Sequence, residues 1–123
     1  MRILVPTAGP VPAAENANYI LEIAQKLKAD VTVLHILDLA ETDAGGEAFK
    51  IFQDLGEDLG LKVKTILKEG NVVPTIVDSA DDEQANLIIM GATKGRIVAE
   101  WIVTQVLQKS NTPVVIIPYG FNK

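Results

Sequence analysis

Asn86-Leu87-Ile88-Ile89-Met90-Gly91-Ala92-Thr93-Lys94-Gly95-Arg96 is a short apolar run that stops at a glycine and then turns through small and basic residues. An apolar run without polar alternation fits a strand covered on both faces, which is the habit of parallel sheets in α/β proteins. Ligands on such sheets bind beyond the carboxyl ends of the strands. Gly91 to Arg96 is therefore the first place to expect a functional site.

The flanking sequence extends the same pattern in both directions. Ile3-Leu4-Val5 is a β-branched-rich strand ended by Pro6, and Thr7 to Pro12 has the proline and glycine density of a loop. Ala13, Ala17, Ile20, Leu21, Ala24 and Leu27 then fall at helical spacing, predicting an amphipathic helix from Pro12 to about Lys28. Val31 to Leu37 is a second buried strand. Asp38 to Gly46 is polar and carries a Gly45-Gly46 break, so it reads as an irregular exposed segment, after which Ala48, Ile51, Phe52, Leu55 and Leu59 resume a helical stripe. Gly60 lies where a helix-ending glycine is expected. Val63 to Lys68 alternates, as an edge strand with one wet face does, and its lysines discourage edge pairing. Asn71 is placed to cap a third helix bearing Val73, Ile76, Val77 and Ala80, with Pro74 in its first turn. A fourth helix carries Val98, Trp101, Ile102 and Val106 on its apolar side and ends before Pro113, and Val114-Val115-Ile116-Ile117 is the fifth strand. Five strands alternating with four helices imply an α/β fold: one open parallel sheet, with right-handed connections and helices on both faces.

Composition narrows the function classes. The 123 residues make one domain spanning 1–123, with no repeat and no linker. A formal net charge of -5 and a pI near 4.7 weigh against nucleic-acid binding, which needs a basic stripe. No apolar run reaches the length of a membrane span, and the N-terminus opens directly into a strand, so a soluble cytoplasmic domain is expected, without membrane partners. The chain has no cysteine, which excludes disulfides and thiolate metal sites. Asp78, Asp81, Asp82 and Glu83 cluster at a helix end without calcium-loop spacing and read as solvated surface, so no metal is expected. His35, the one histidine, has no evident nucleophile or carboxylate beside it and reads as a structural residue at the sheet's edge. Trp101 reads as a core residue beside the glycine loop.

Five segments in order resemble the universal stress protein family: Ile3-Leu4-Val5-Pro6-Thr7, Leu34-His35-Ile36-Leu37-Asp38, Glu69-Gly70-Asn71, Leu87-Ile88-Ile89-Met90-Gly91 and Lys109 to Ile117. The resemblance implies strand order 3-2-1-4-5 and a homodimer formed through the last strand, Val114, Val115, Ile116 and Ile117. An apolar strand at the rim of an open sheet also calls for pairing or covering. Members of that family divide into those that bind ATP and those that do not. In the former an acidic residue follows the first strand, and a Gly-x2-Gly-x9-Gly-Ser/Thr loop lets backbone N–H groups approach the phosphates.

Here the acidic position is Ala8, which neither accepts a hydrogen bond from a ribose nor helps to hold a metal. The loop reads Gly91-Ala92-Thr93-Lys94-Gly95, one residue too widely spaced. Counting forward from Gly95 reaches Gln105-Val106, and counting back from Lys109 to Pro113 reaches Glu100-Trp101, so neither register recovers the Gly-Ser. The leading expectation is a dimeric, non-catalytic stress-response protein with weak or no ATP binding, acting through protein partners that the sequence does not identify. The alternative is an ATP or AMP sensor with a variant loop. By the resemblance, Pro6, Thr7 and Ile36 would then lie near base and ribose, and Met90, Gly91, Lys94 and Gly95 near the phosphates. Enzymes of similar architecture fit less well. A flavodoxin-like carrier needs a hydroxyl-rich loop after the first strand, a receiver domain needs clustered acids at strand ends, and a nucleotide hydrolase needs a water-positioning base.

Overall fold

The computed structural model describes residues 1–8, 10–37, 44–91 and 97–118. Its elements in chain order are β1 (Arg2–Pro6), α1 (Pro10–Leu27), β2 (Asp30–Ile36), α2 (Ala44–Asp58), β3 (Val63–Lys68), α3 (Val72–Asp82), β4 (Leu87–Gly91), α4 (Ile97–Lys109) and β5 (Val114–Ile117). The strands form one sheet in the order β3-β2-β1-β4-β5, with every ladder parallel. Both the α/β class and the expected strand order therefore hold.

Alternate residues of the central strands feed two cores. Ile3, Val5, Val31, Val33 and Ile89 pack with Ile20, Leu21 and Phe52 beneath α1 and α2. Leu4, Leu34, Ile88 and Met90 pack with Val73, Ile76 and Val106 beneath α3 and α4. Because β1 and β4 are buried on both faces they tolerate no polar alternation, which explains the unbroken apolar runs. Each such fully buried isoleucine or leucine contributes about 1.5–3 kcal/mol by removal from water. At the rim, β3 is half-buried, with Leu67 exposed, as its alternating sequence implies. On the opposite rim Val115 is 40% exposed.

Helix ends follow local chemistry. Gly60, at φ +70°, closes α2: Leu61 N–H donates to the Gly56 carbonyl at 2.8 Å and Gly60 N–H to that of Glu57 at 3.1 Å. Paired bonds of this kind around a left-handed residue are a regular helix terminus. The same pair ends α1 at Lys28 (φ 54°) and α3 at Gln84 (φ 53°), without a glycine at either place.

Three local expectations are corrected. Gly45 and Gly46 lie inside α2 and do not break it, because Gly45 lets the helix start against the His35 ring. Asn71 occupies the N-cap position of α3, but its side chain makes no capping bond; its carbonyl accepts the Thr75 N–H at 3.1 Å. Trp101 is 56% exposed, since α4 turns Ile102 and Val106 toward the sheet and leaves residue 101 about 100° around the helix.

Candidate functional site

Strand order reverses between β1 and β4. The β1–β2 ladder runs from Arg2 to Pro6, whereas β1–β4 pairing covers only Ile3 with Leu87 and Leu4 with Ile88. Beyond Ile88 the two strands separate, leaving a crevice at their carboxyl ends, the place where open α/β sheets accept ligands.

The β1 side of that crevice is tied down from β2. Thr7 N–H donates to the Leu34 carbonyl at 2.9 Å, and the Thr7 carbonyl lies 2.9 Å from His35 Nδ1. A carbonyl can only accept, so Nδ1 carries the proton in this bond. The His35 ring is buried and meets Phe49 edge-on at 6.4 Å between centroids. The geometry thus gives His35 a positioning part, holding the exit of β1. It stands next to last on β2, an interior strand, as expected of a structural histidine at the end of a buried strand.

The crevice is lined by Pro6, Thr7 and Ala8 from the β1 exit, Asn16 from α1, Phe52 from α2 and Gly91 from β4, around a cavity of about 30 Å³. None of its described lining residues is ionisable. Gly91 has a strict steric reason to lack a side chain, because a Cβ there would overlap Asn16 Nδ2. Pro6, Thr7, Ala8 and Gly91, singled out from the sequence, are therefore brought together. Met90 and Ile36 end neighbouring strands, but Met90 belongs to the core beneath α3 and α4 and Ile36 packs against that same core, away from the crevice lining. Lys94 and Gly95, with Ala92, Thr93 and Arg96, lie outside the described residues.

Sequence reading missed Asn16 and Phe52. Asn16 does carry a signal, a lone amide on the apolar stripe between Ala13 and Ile20. Phe52 carries none, since its spacing is that of any core residue. The acidic group at the end of α3 sits elsewhere: Glu83 pairs with Lys64 at 2.7 Å and Asp82 approaches Lys68 at 3.9 Å, linking α3 to β3 on the surface. Among the described residues there is no cluster of three or more potential metal ligands, and no helix is long and apolar enough to cross a membrane.

The chain is 26% identical over 137 residues to a universal stress protein of Methanocaldococcus jannaschii, an alignment covering 94% of this chain and 81% of that protein. Among solved structures, a universal stress protein in complex with cAMP superposes with a TM-score of 0.78 at 18% identity, covering 96% of each chain. One from Archaeoglobus fulgidus in complex with dAMP superposes at 0.75 with 23% identity, covering 95% of this chain and 97% of that one. At such identities these superpositions establish the shared fold. The sequence pattern of the universal stress protein family matches residues 1–118, and the chain belongs to that family.

Proposed function

We propose that this protein is a dimeric, non-catalytic regulator of the stress-protein type that does not hold ATP tightly and works in the cytoplasm through protein partners, as a single domain. The observation carrying this reading is the crevice: uncharged among its described residues, about 30 Å³ in volume, with Ala8 at the β1 exit. Sites that engulf a drug-sized ligand run to roughly 300–1,000 Å³. A triphosphate also asks for cationic or metal neutralisation, which Ala8 cannot help to provide. Dimerisation is supported by the apolar β5 rim, where Val115 is 40% exposed. Mass spectrometry of small molecules released from the purified protein, with calorimetric titration of ATP, tests the ligand claim. Stoichiometric ATP, or micromolar affinity for it, overturns it.

A second reading, a nucleotide sensor with a variant loop, is favoured by one specific observation: relatives of the same fold are in complex with cAMP and dAMP. In that reading Pro6, Thr7 and Gly91 line the ligand's inner end, Ile36 and Met90 support the strand ends from behind, and Lys94 and Gly95 approach the phosphates. A ligand that binds only the folded state raises its melting temperature. Absence of any shift with ATP, AMP or cAMP at millimolar concentration removes this reading.

A further inference from the structure

At the opposite end of the sheet from the crevice, where the strands begin, the core beneath α3 and α4 gives way to charged residues. Leu4 belongs to that core, and its neighbours in register are Thr32 on β2 and then Lys64 on β3. Side chains alternate along a strand, so two residues earlier the same face carries Arg2, Asp30 and Lys62, the last beside β2 through the bond from Val31 N–H to its carbonyl. Between these residues and the end of α3 lies an open groove of about 390 Å³. On its α3 wall Glu83 is already matched by Lys64 at 2.7 Å.

Arg2, Asp30 and Lys62 form a row of cation, carboxylate and cation. All three are exposed, and among the described residues none of them makes an ion pair. The Arg2 guanidinium is held by neutral acceptors, the Glu83 carbonyl at 3.4 Å and Gln84 Oε1 at 3.1 Å, so its charge is oriented without being neutralised. With two cations to one carboxylate, the row is locally positive on a chain of net charge -5. Its complement is a carboxylate, an ammonium and a carboxylate in that order, the charge pattern of an acidic amino acid. The spacing agrees. Side chains stand roughly perpendicular to a sheet, so the outer cations are two strand spacings, roughly 10 Å, apart. Allowing about 2.8 Å for each charge-assisted hydrogen bond leaves about 4–5 Å between the two carboxylates, within reach of a short carbon chain. A phosphate would meet Asp30 with like charge, and a simple amine would meet the two cations.

We propose that this groove at the amino ends of the strands binds a free acidic amino acid, glutamate or aspartate: Arg2 takes the α-carboxylate as a planar fork, Asp30 the ammonium and Lys62 the side-chain carboxylate. The site is separate from the crevice and independent of what the crevice holds. Because the groove is open to water, its ion pairs are individually weak and screened by salt, so binding is in the millimolar range and is lost at high ionic strength.

The test titrates the full chain at low ionic strength with L-glutamate, glutarate, which lacks the ammonium, and L-glutamine, which lacks the second carboxylate, following backbone amides by nuclear magnetic resonance. L-Glutamate produces saturable shifts centred on Arg2, Asp30 and Lys62, and each of the other two compounds binds about fivefold more weakly, the upper worth of one exposed ion pair. Asp30→Asn abolishes the preference for glutamate over glutarate, and Lys62→Gln abolishes that over glutamine. Both replacements are near-isosteric at exposed positions, and the unshifted remainder of each spectrum reports an intact fold. A row that carries only solvated charge gives no saturable shift at millimolar glutamate, and that result overturns the inference. Equal affinity for the three compounds, shifts centred on Thr7 and Gly91 instead, or preferences that survive both substitutions overturn it as well.

Discussion

Replacing Gly45 by alanine isolates the contact that seats α2 on the sheet. Alanine is favoured over glycine by up to about 1 kcal/mol in a helix, less in the first turn where Gly45 lies, so propensity alone predicts stabilisation. Tertiary packing predicts the reverse. A Cβ on residue 45 lies 2.7 Å from His35 Cδ2 and 3.2 Å from its Cγ, with Leu67 Cδ1 at 3.4 Å. The ring has little freedom to retreat, because it is 2% exposed, bonded to the Thr7 carbonyl at 2.9 Å and set edge-on against Phe49. Overpacking of this kind costs about 1–3 kcal/mol, and displacing the ring also forfeits a hydrogen bond worth about 1 kcal/mol. Set against the propensity gain, the net is a loss of about 1–3 kcal/mol. For a domain of this size that lowers the melting temperature by about 3–15 °C. Gly46, exposed in the same helical turn, is the internal control: Gly46→Ala gains about 0.5–1 kcal/mol. Urea denaturation followed by circular dichroism measures both variants. In a His35→Ala background, Gly45→Ala becomes stabilising because the obstructing ring is gone. Equal stabilisation by the two alanines in the wild-type background would refute the packing account.

Other substitutions probe separate points. Gln84, left-handed at φ 53° where α3 ends, becomes less strained as glycine, and Gln84→Gly raises the urea midpoint by an amount equivalent to about 0.5–1 kcal/mol; an unchanged or lower midpoint contradicts this. Ser79 is fully buried in α3 and its Oγ has no hydrogen-bond partner among the described residues, so Ser79→Ala stabilises by about 1 kcal/mol in the same assay, and a loss of stability would reveal a partner for the hydroxyl. If the chain pairs through β5 as proposed, Val115→Asp sets a charge on that rim and shifts the sedimentation coefficient from dimer to monomer while leaving the far-UV spectrum intact. A monomeric wild type, or a dimer that the substitution leaves unaltered, overturns pairing through β5.

Much of the fold is legible along the chain because its signals are local. The unbroken run Leu87 to Met90 requires cover on both faces wherever it sits. The 3.6-residue stripe from Ala13 to Leu27 marks a helix whatever it packs against, and Gly60 stops α2 through its own backbone freedom. Within the candidate site, Pro6, Thr7, Ala8 and Gly91 were equally visible, since they follow strand ends. Asn16 shows in the sequence only as a lone amide on an apolar stripe, which does not say what it faces. Only the crossing of α1 over the end of β4 shows that its amide faces Gly91, a residue 75 positions later in the chain.

By itself, then, the amino-acid sequence determined the type and order of the elements, the parallel sheet and the family pattern, because hydrophobic periodicity and turn chemistry act over a few residues. Tertiary structure alone decided that a helix starts at Gly45, that Trp101 faces outward, that His35 holds the β1 exit and that the crevice closes on an amide. Each of those outcomes is set by contact between groups far apart along the chain, and such contacts exist only once the sheet has brought its strand ends together.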